Sequence, residues 1–204
     1  MITKEQFESG YTYQEYRNLV DEKLAIGQTT GSSTNPAYLE HTKMNIHRMK
    51  RWDKTIELST ELKSQLENTP CPVNWLLLAE GWCGDASQNV PFLNKMAEAS
   101  PNIRLRILLR DEHLDIMDQY LTNGGRAIPK LIIMDASMNE IGTWGPRPAE
   151  IQEIVRIGKH EKCMDSESIG KMVQKWYAKD KGVTIEEEMM GIIAQMDCVL
   201  DERP

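Results

Sequence analysis

No two cysteines in this sequence are spaced as Cys-x-x-Cys. The four present, Cys71, Cys83, Cys163 and Cys198, are scattered. That excludes a zinc knuckle and a disulfide-stapled secreted fold. Isolated cysteines are most often small buried hydrophobes, which is the expectation for three of the four. Positive charge is also short. Lys and Arg number 24 against 31 Asp and Glu, for a formal net charge of -7. A general binder of nucleic acid or of an anionic membrane needs a positive face, so neither partner is expected. The basic cluster His47-Arg48-Met49-Lys50-Arg51, with Lys54 beyond it, spreads its charges around a helix and reads as solvated surface. No apolar run reaches membrane-spanning length. Met1 to Glu8 lacks the apolar core of a secretory signal, so the expected location is the cytoplasm.

What is present is the balance of a soluble globular protein. The chain has 204 residues, of which 40% are hydrophobic and 27% charged, enough for one domain with additions or two small ones. There is no internal repeat and no low-complexity segment. The first third reads as helix. Thr12-Tyr13-Gln14-Glu15 is a capping box, followed by Tyr16, Leu19, Val20 and Leu24 at helical spacing. Gly27 to Pro36 is a loop. Asn35-Pro36 opens a second helix that can run to about Leu66, with a break near Lys54.

The middle alternates. Val73 to Glu80 is a short apolar run, the mark of a buried strand. Asp85 to Ala99 is helical around Pro91, Ile103 to Arg110 a strand, and His113 to Leu121 a short helix. Lys130 to Asp135 and Glu140 to Trp144 are strands joined by a short polar turn, an antiparallel hairpin. Pro148 opens another helix. This order predicts an α/β fold: a mixed four-stranded sheet in which a parallel pair joins the hairpin, with helices on both faces. In the tail, one stripe runs through Ile169, Met172, Val173, Trp176 and Tyr177. A Thr184-Ile185-Glu186-Glu187 capping box then precedes Met189, Ile192, Ile193, Met196 and Leu200. This second stripe suits packing on the chain's own core better than an adaptable groove. The expected division is a helical extension over 1–69, a central domain over 70–162 and a helical tail over 163–204 packed on it.

Chemistry concentrates at Trp82-Cys83-Gly84-Asp85. A strand runs into Trp-Cys-Gly and a helix starts at the cysteine. Pro91 follows eight residues after Cys83, and Arg126-Ala127-Ile128-Pro129 leads into the next strand with its proline 46 residues on. Gly142 lies in the last strand. In this order and spacing, Val73 to His160 resembles the thioredoxin superfamily. The helical flanks and the Trp-Cys-Gly-Asp variant are similar to a group of bacterial thioredoxin-like proteins. The resemblance implies a thioredoxin-like fold, Cys83 as nucleophile, a cis Ile128-Pro129 peptide beside it, and a substrate site formed by Trp82, Gly84, Asp85, Ile128 and Pro129. The Ile128 backbone would receive an extended substrate like an added strand, with Trp82 as an apolar rim.

Physics supports part of this directly. A helix N-terminus favours thiolate over thiol. Asp85 opposes it, and Arg126 and Glu80 are candidates for modulating the thiolate, so the sign of the shift stays open. Three departures bear on mechanism. Ala86 stands where the second cysteine of a dithiol centre would be, so a mixed disulfide has no internal sulfur to resolve it. Leu77, six residues before Cys83, stands where family members often carry a buried acid. The third is Asp85 itself. The expected activity is monothiol thiol–disulfide exchange with a protein or low-molecular-weight thiol or disulfide, an external thiol releasing the product. The alternative is a redox-inactive scaffold that binds a protein partner. A sulfenic-acid peroxidase ranks behind both. No cofactor or metal is expected: His160 with Cys163, and His113 with Asp111 and Asp115, are too few ligands or suit helix caps. The sequence assigns no oligomeric state.

Overall fold

The computed structural model describes residues 2–32 and 35–201, with side chains described as far as Met196. Its centre is a four-stranded sheet in the order β2-β1-β3-β4, formed by β1 (Val73–Ala79), β2 (Ile103–Leu109), β3 (Lys130–Asp135) and β4 (Glu140–Trp144). All seven residues of β1 are buried, because helices cover both faces of the sheet and no side of the strand can be polar. β1 runs parallel to β2, Val73 facing Ile103 and Ala79 facing Leu109. It runs antiparallel to β3, Leu77 facing Leu131. β3 returns antiparallel as β4, with an irregularity between Ile133 and Met134. The hairpin turn is held by Asp135, whose carboxylate accepts the Ser137 and Asn139 N–H groups.

The helices are α1 (Lys4–Glu8), α2 (Tyr13–Ala25), α3 (Pro36–Thr55), α4 (Thr60–Glu67), α5 (Gly84–Glu98), α6 (Leu114–Met117), α7 (Ala149–His160), α8 (Ser166–Asp180) and α9 (Val183–Asp201). Thr12 and Glu15 make the expected capping box on α2. The long second helix divides into α3 and α4, and Ser59 caps α4 through the Leu62 N–H. Phe7, Tyr16, Val20, Met49, Leu62 and Leu66 belong to the same buried cluster as the sheet. Each such side chain contributes about 1.5–3 kcal/mol on burial, which helices this short need in order to persist. Ile185, Met189, Ile193 and Met196 of α9 enter that cluster too, so the methionine stripe packs inward. Ile151, Val155, Ile169, Val173 and Tyr177 form a second, smaller cluster between α7 and α8.

Several expectations need correction. Thr184 does not cap α9. Asp180 does, accepting the Gly182 and Thr184 N–H groups, because Lys181 and Gly182 turn through positive φ and bring Asp180 over the helix start. The helix expected from His113 to Leu121 is confined to Leu114–Met117, after a 3-10 turn at Arg110–Glu112. His113 makes no side-chain cap there; Asp111 binds Arg110 and Asp115 accepts from Gln6. α1 carries an unforeseen capping box, Thr3 with Gln6. The cysteines also depart from expectation: Cys163 is exposed and Cys71 half-buried. The side chains of Cys198 and Leu200 lie outside the described residues. Among the described residues, no helix is long and apolar enough to cross a membrane.

Candidate functional site

Cys83 is the N-cap residue of α5. Its sulfur accepts the Ala86 N–H at 3.4 Å, and its thiol donates to the Ile128 carbonyl at 3.2 Å. The Ile128-Pro129 peptide is cis. Trp82, Cys83, Gly84, Asp85, Ile128 and Pro129 therefore meet at one end of the sheet, where β1 leaves for α5 and the chain enters β3. The turn is pinned from the N-terminal helices. Gly81 N–H donates to the Thr30 hydroxyl at 2.8 Å, and the Asn45 amide donates to the Gly81 carbonyl at 2.9 Å.

Trp82 is half-buried. It stacks on Tyr38 at 4.3 Å, and the Arg110 guanidinium lies 4.8 Å from its ring centre. Gly84 is overhung as well: a Cβ there would meet Gln174 at 3.2 Å and Arg48 at 3.8 Å. Cys83 retains 8% of its surface.

Asp85 is the hub of a buried polar network. Arg147 donates to one of its oxygens at 2.5 Å and the Tyr177 hydroxyl to the other at 3.0 Å. Asn89 donates to the Tyr177 oxygen at 2.8 Å. Arg126, expected to offset Asp85, instead pairs with Asp118 on the surface at 2.6 Å. The offsetting charge is Arg147, which the sequence reading missed. It arrives on a second cis-proline turn, Gly145-Pro146. Gly145 has φ +109°, and a Cβ there would lie 2.3 Å from the Pro129 carbonyl oxygen, so glycine alone lets the two proline turns touch. The motif Gly145-Pro146-Arg147-Pro148 was the available signal.

The sign of the Cys83 shift follows from these surroundings. Burial pushes the thiol up most, and the Asp85 carboxylate adds to it; the Ala86 and Asp85 N–H groups and Arg147 pull the other way. The balance lies at about 12. At neutral pH the sulfur is a thiol, as its bond to the Ile128 carbonyl requires. Glu80 does not rank among these influences. Its carboxylate accepts the Asp111 N–H at 2.9 Å.

Burial raises Glu80 from 4.5 to about 7, against the Thr30 hydroxyl and the Asp111 N–H, which stabilise its charge. A folded-state pKa above the ordinary value means that protonation favours folding. That contribution is full below pH 4.5 and is lost as pH rises through 7. Glu80→Gln keeps the acceptor for Asp111 without the charge. It is expected to stabilise the protein at pH 8 by on the order of 2 kcal/mol and to be neutral near pH 4. Urea denaturation at the two pH values measures this, and a pH-independent difference would contradict it.

A family model described as thioredoxin matches residues 32–169 of the chain. No curated protein matches it. Among solved structures, it is similar to a 1.5 Å crystal structure of a protein of unknown function from Pseudomonas aeruginosa, with 18% identity and a TM-score of 0.65, over 98% of this chain and 99% of that one. It is also similar to a crystallised HIV epitope-scaffold, with 19% identity and a TM-score of 0.62, over 97% and 98% of the two chains. At these identities the likeness is one of fold, and it takes in the helical flanks as well as the sheet. With the sheet order, the cysteine at the start of α5 and the family match over most of its length, the chain belongs to the thioredoxin family.

Proposed function

We propose that the protein carries out monothiol thiol–disulfide exchange through Cys83. The observation that carries this reading is the sulfur's place at the N-terminus of α5, against the Ile128 carbonyl. An extended substrate docking along Ile128 brings backbone N–H groups that bond this carbonyl. It thereby takes the acceptor that holds the thiol proton. The freed thiol loses its proton to solvent, and the thiolate attacks one sulfur of the substrate disulfide. The substrate S–S bond breaks, a Cys83 mixed disulfide forms, and the second substrate sulfur leaves as a thiolate that takes up a proton. With Ala86 in place of a resolving cysteine, an external thiolate then attacks the mixed disulfide and regenerates Cys83. In this reading 1–69 and 163–204 serve as cover for the site rather than as separate domains, which their share in the common core supports. The partners are disulfide-bearing proteins or small thiols.

The burial of Cys83 and its raised pKa favour a second reading, a redox-silent thioredoxin scaffold that binds a protein partner. One experiment separates them. Cys163→Ser removes the exposed thiol among the described cysteines. This protein is incubated with oxidised glutathione and mapped by peptide mass spectrometry. Exchange predicts a glutathione adduct on Cys83 that a monothiol reverses. A Cys83 left unmodified after prolonged incubation would favour the scaffold.

A further inference from the structure

Beside the cysteine, α3, the start of α5 and α8 enclose a cavity of about 680 Å³ that Gly84 and Asp85 border but Cys83 does not. Its volume lies in the range of small-molecule sites. Its charges do not cancel. Arg147 is spent on Asp85, and Lys171 is paired with Glu167 at 2.6 Å. Arg48 and Lys159, also on the wall, make no ion pair among the described residues. Arg48 is half-buried and donates to the neutral Asn45 amide oxygen at 2.7 Å. Burial and the neighbouring Arg51 both work against its charge, and Asp85 only partly offsets them. A cation withdrawn from water without a carboxylate partner is costly, and this one faces a cavity. The rest of the wall mixes the polar His41, Asn45, Ser166 and Gln174 with an apolar stretch. Ile169 and Val173 line it, and Met44, 48% exposed, adds a third apolar side chain to the wall.

We propose that this cavity binds a small organic anion with an apolar body, its carboxylate on Arg48 and Lys159 and its hydrocarbon on Met44, Ile169 and Val173. The proposal does not depend on the exchange reaction, although Gly84 and Asp85 border both sites. The ligand supplies the missing counter-charge to Arg48 and covers Met44 in one step.

Octanoate is the probe, titrated into the full-length ¹⁵N-labelled protein with inorganic phosphate in a parallel series. Saturable shifts of the Gly84 and Gly170 amides are expected with octanoate. Arg48→Gln, and separately Lys159→Gln on the exposed side of the wall, are each expected to weaken binding by about tenfold. Phosphate, which has no apolar body, is expected to bind more weakly. Absence of saturable shifts, or octanoate binding unchanged in both variants, overturns the proposal. Phosphate binding as tightly as octanoate overturns its apolar half.

Discussion

Ala86→Cys is expected to form a disulfide with Cys83 on oxidation. It is also expected to raise dithiol-driven reduction of insulin at least about a hundredfold, since effective molarities of oriented intramolecular reactions reach on the order of 10⁵ M. In the exchange reading the native chain would wait for an external thiol at each turnover; the variant would carry its resolving sulfur one helical turn from the first. The geometry suits the bridge. Cys83 is the N-cap, outside the helical turn, and its sulfur already reaches the Ala86 N–H at 3.4 Å, close to where a sulfur on the Ala86 Cβ would lie. Ala86 is 1% exposed, so the new sulfur sits within the protein and not at its surface. Leu77, an alkyl group where an acid would assist proton transfer, keeps the variant below a full dithiol enzyme. Cys83→Ser in the same background should abolish the gain. A variant that forms no bridge and reduces insulin no faster than the native chain would shift the weight to the scaffold reading.

The second large effect is in pH. With the Cys83 thiol held near 12, its thiolate fraction grows about tenfold per pH unit below that value. Alkylation of Cys83 by iodoacetamide in the Cys163→Ser protein should therefore accelerate about a thousandfold between pH 7 and pH 10. A thiol with an ordinary pKa would level off within this window. Asp85→Asn removes the carboxylate and releases Arg147 from its partner. Both changes favour the thiolate, so the variant should react roughly tenfold faster at pH 7, equivalent to about one pKa unit. A slower Asp85→Asn protein would mean that Asp85 acts by holding the loop and not by its charge. The linkage to stability has a definite sign. The folded-state value exceeds the ordinary 9.0, so this contribution is intact below pH 9 and declines as pH rises from 9 toward 12.

Much of the architecture was legible because its determinants are local. The apolar run Val73 to Ala79 announces a strand covered on both faces. Asn35-Pro36 and Pro148 mark helix starts, and the Ile128 carbonyl lies against the Cys83 sulfur, as the family resemblance implied. What escaped depends on segments meeting from far along the chain. Trp82 loses its free face to Tyr38 and Arg110, and nothing near Trp82 encodes that contact. Arg126 was the nearer candidate for Asp85 by motif, yet Asp118 lies close enough to take it. Arg147 reaches Asp85 only because two proline turns touch through a glycine. The Thr184 box was a genuine local signal overridden by another, Asp180 before a left-handed Lys181-Gly182 turn. Cys163 occupies a turn of positive φ, where an exposed position outweighs the usual tendency of cysteine to be buried.

The shelter around Cys83 is assembled out of sequence order. Arg147 follows Asp85 by 62 residues and Tyr177 follows it by 92. The Ile128 carbonyl that receives the thiol proton lies 45 residues beyond the sulfur. A ribosome emits the chain from its N-terminus, so β1, α5 and β2 emerge before any of the three partners does. A nascent Cys83 thus has its helix start but neither its carbonyl acceptor nor the overhang of α8. Its burial in the finished fold waits on the last of these segments to be made.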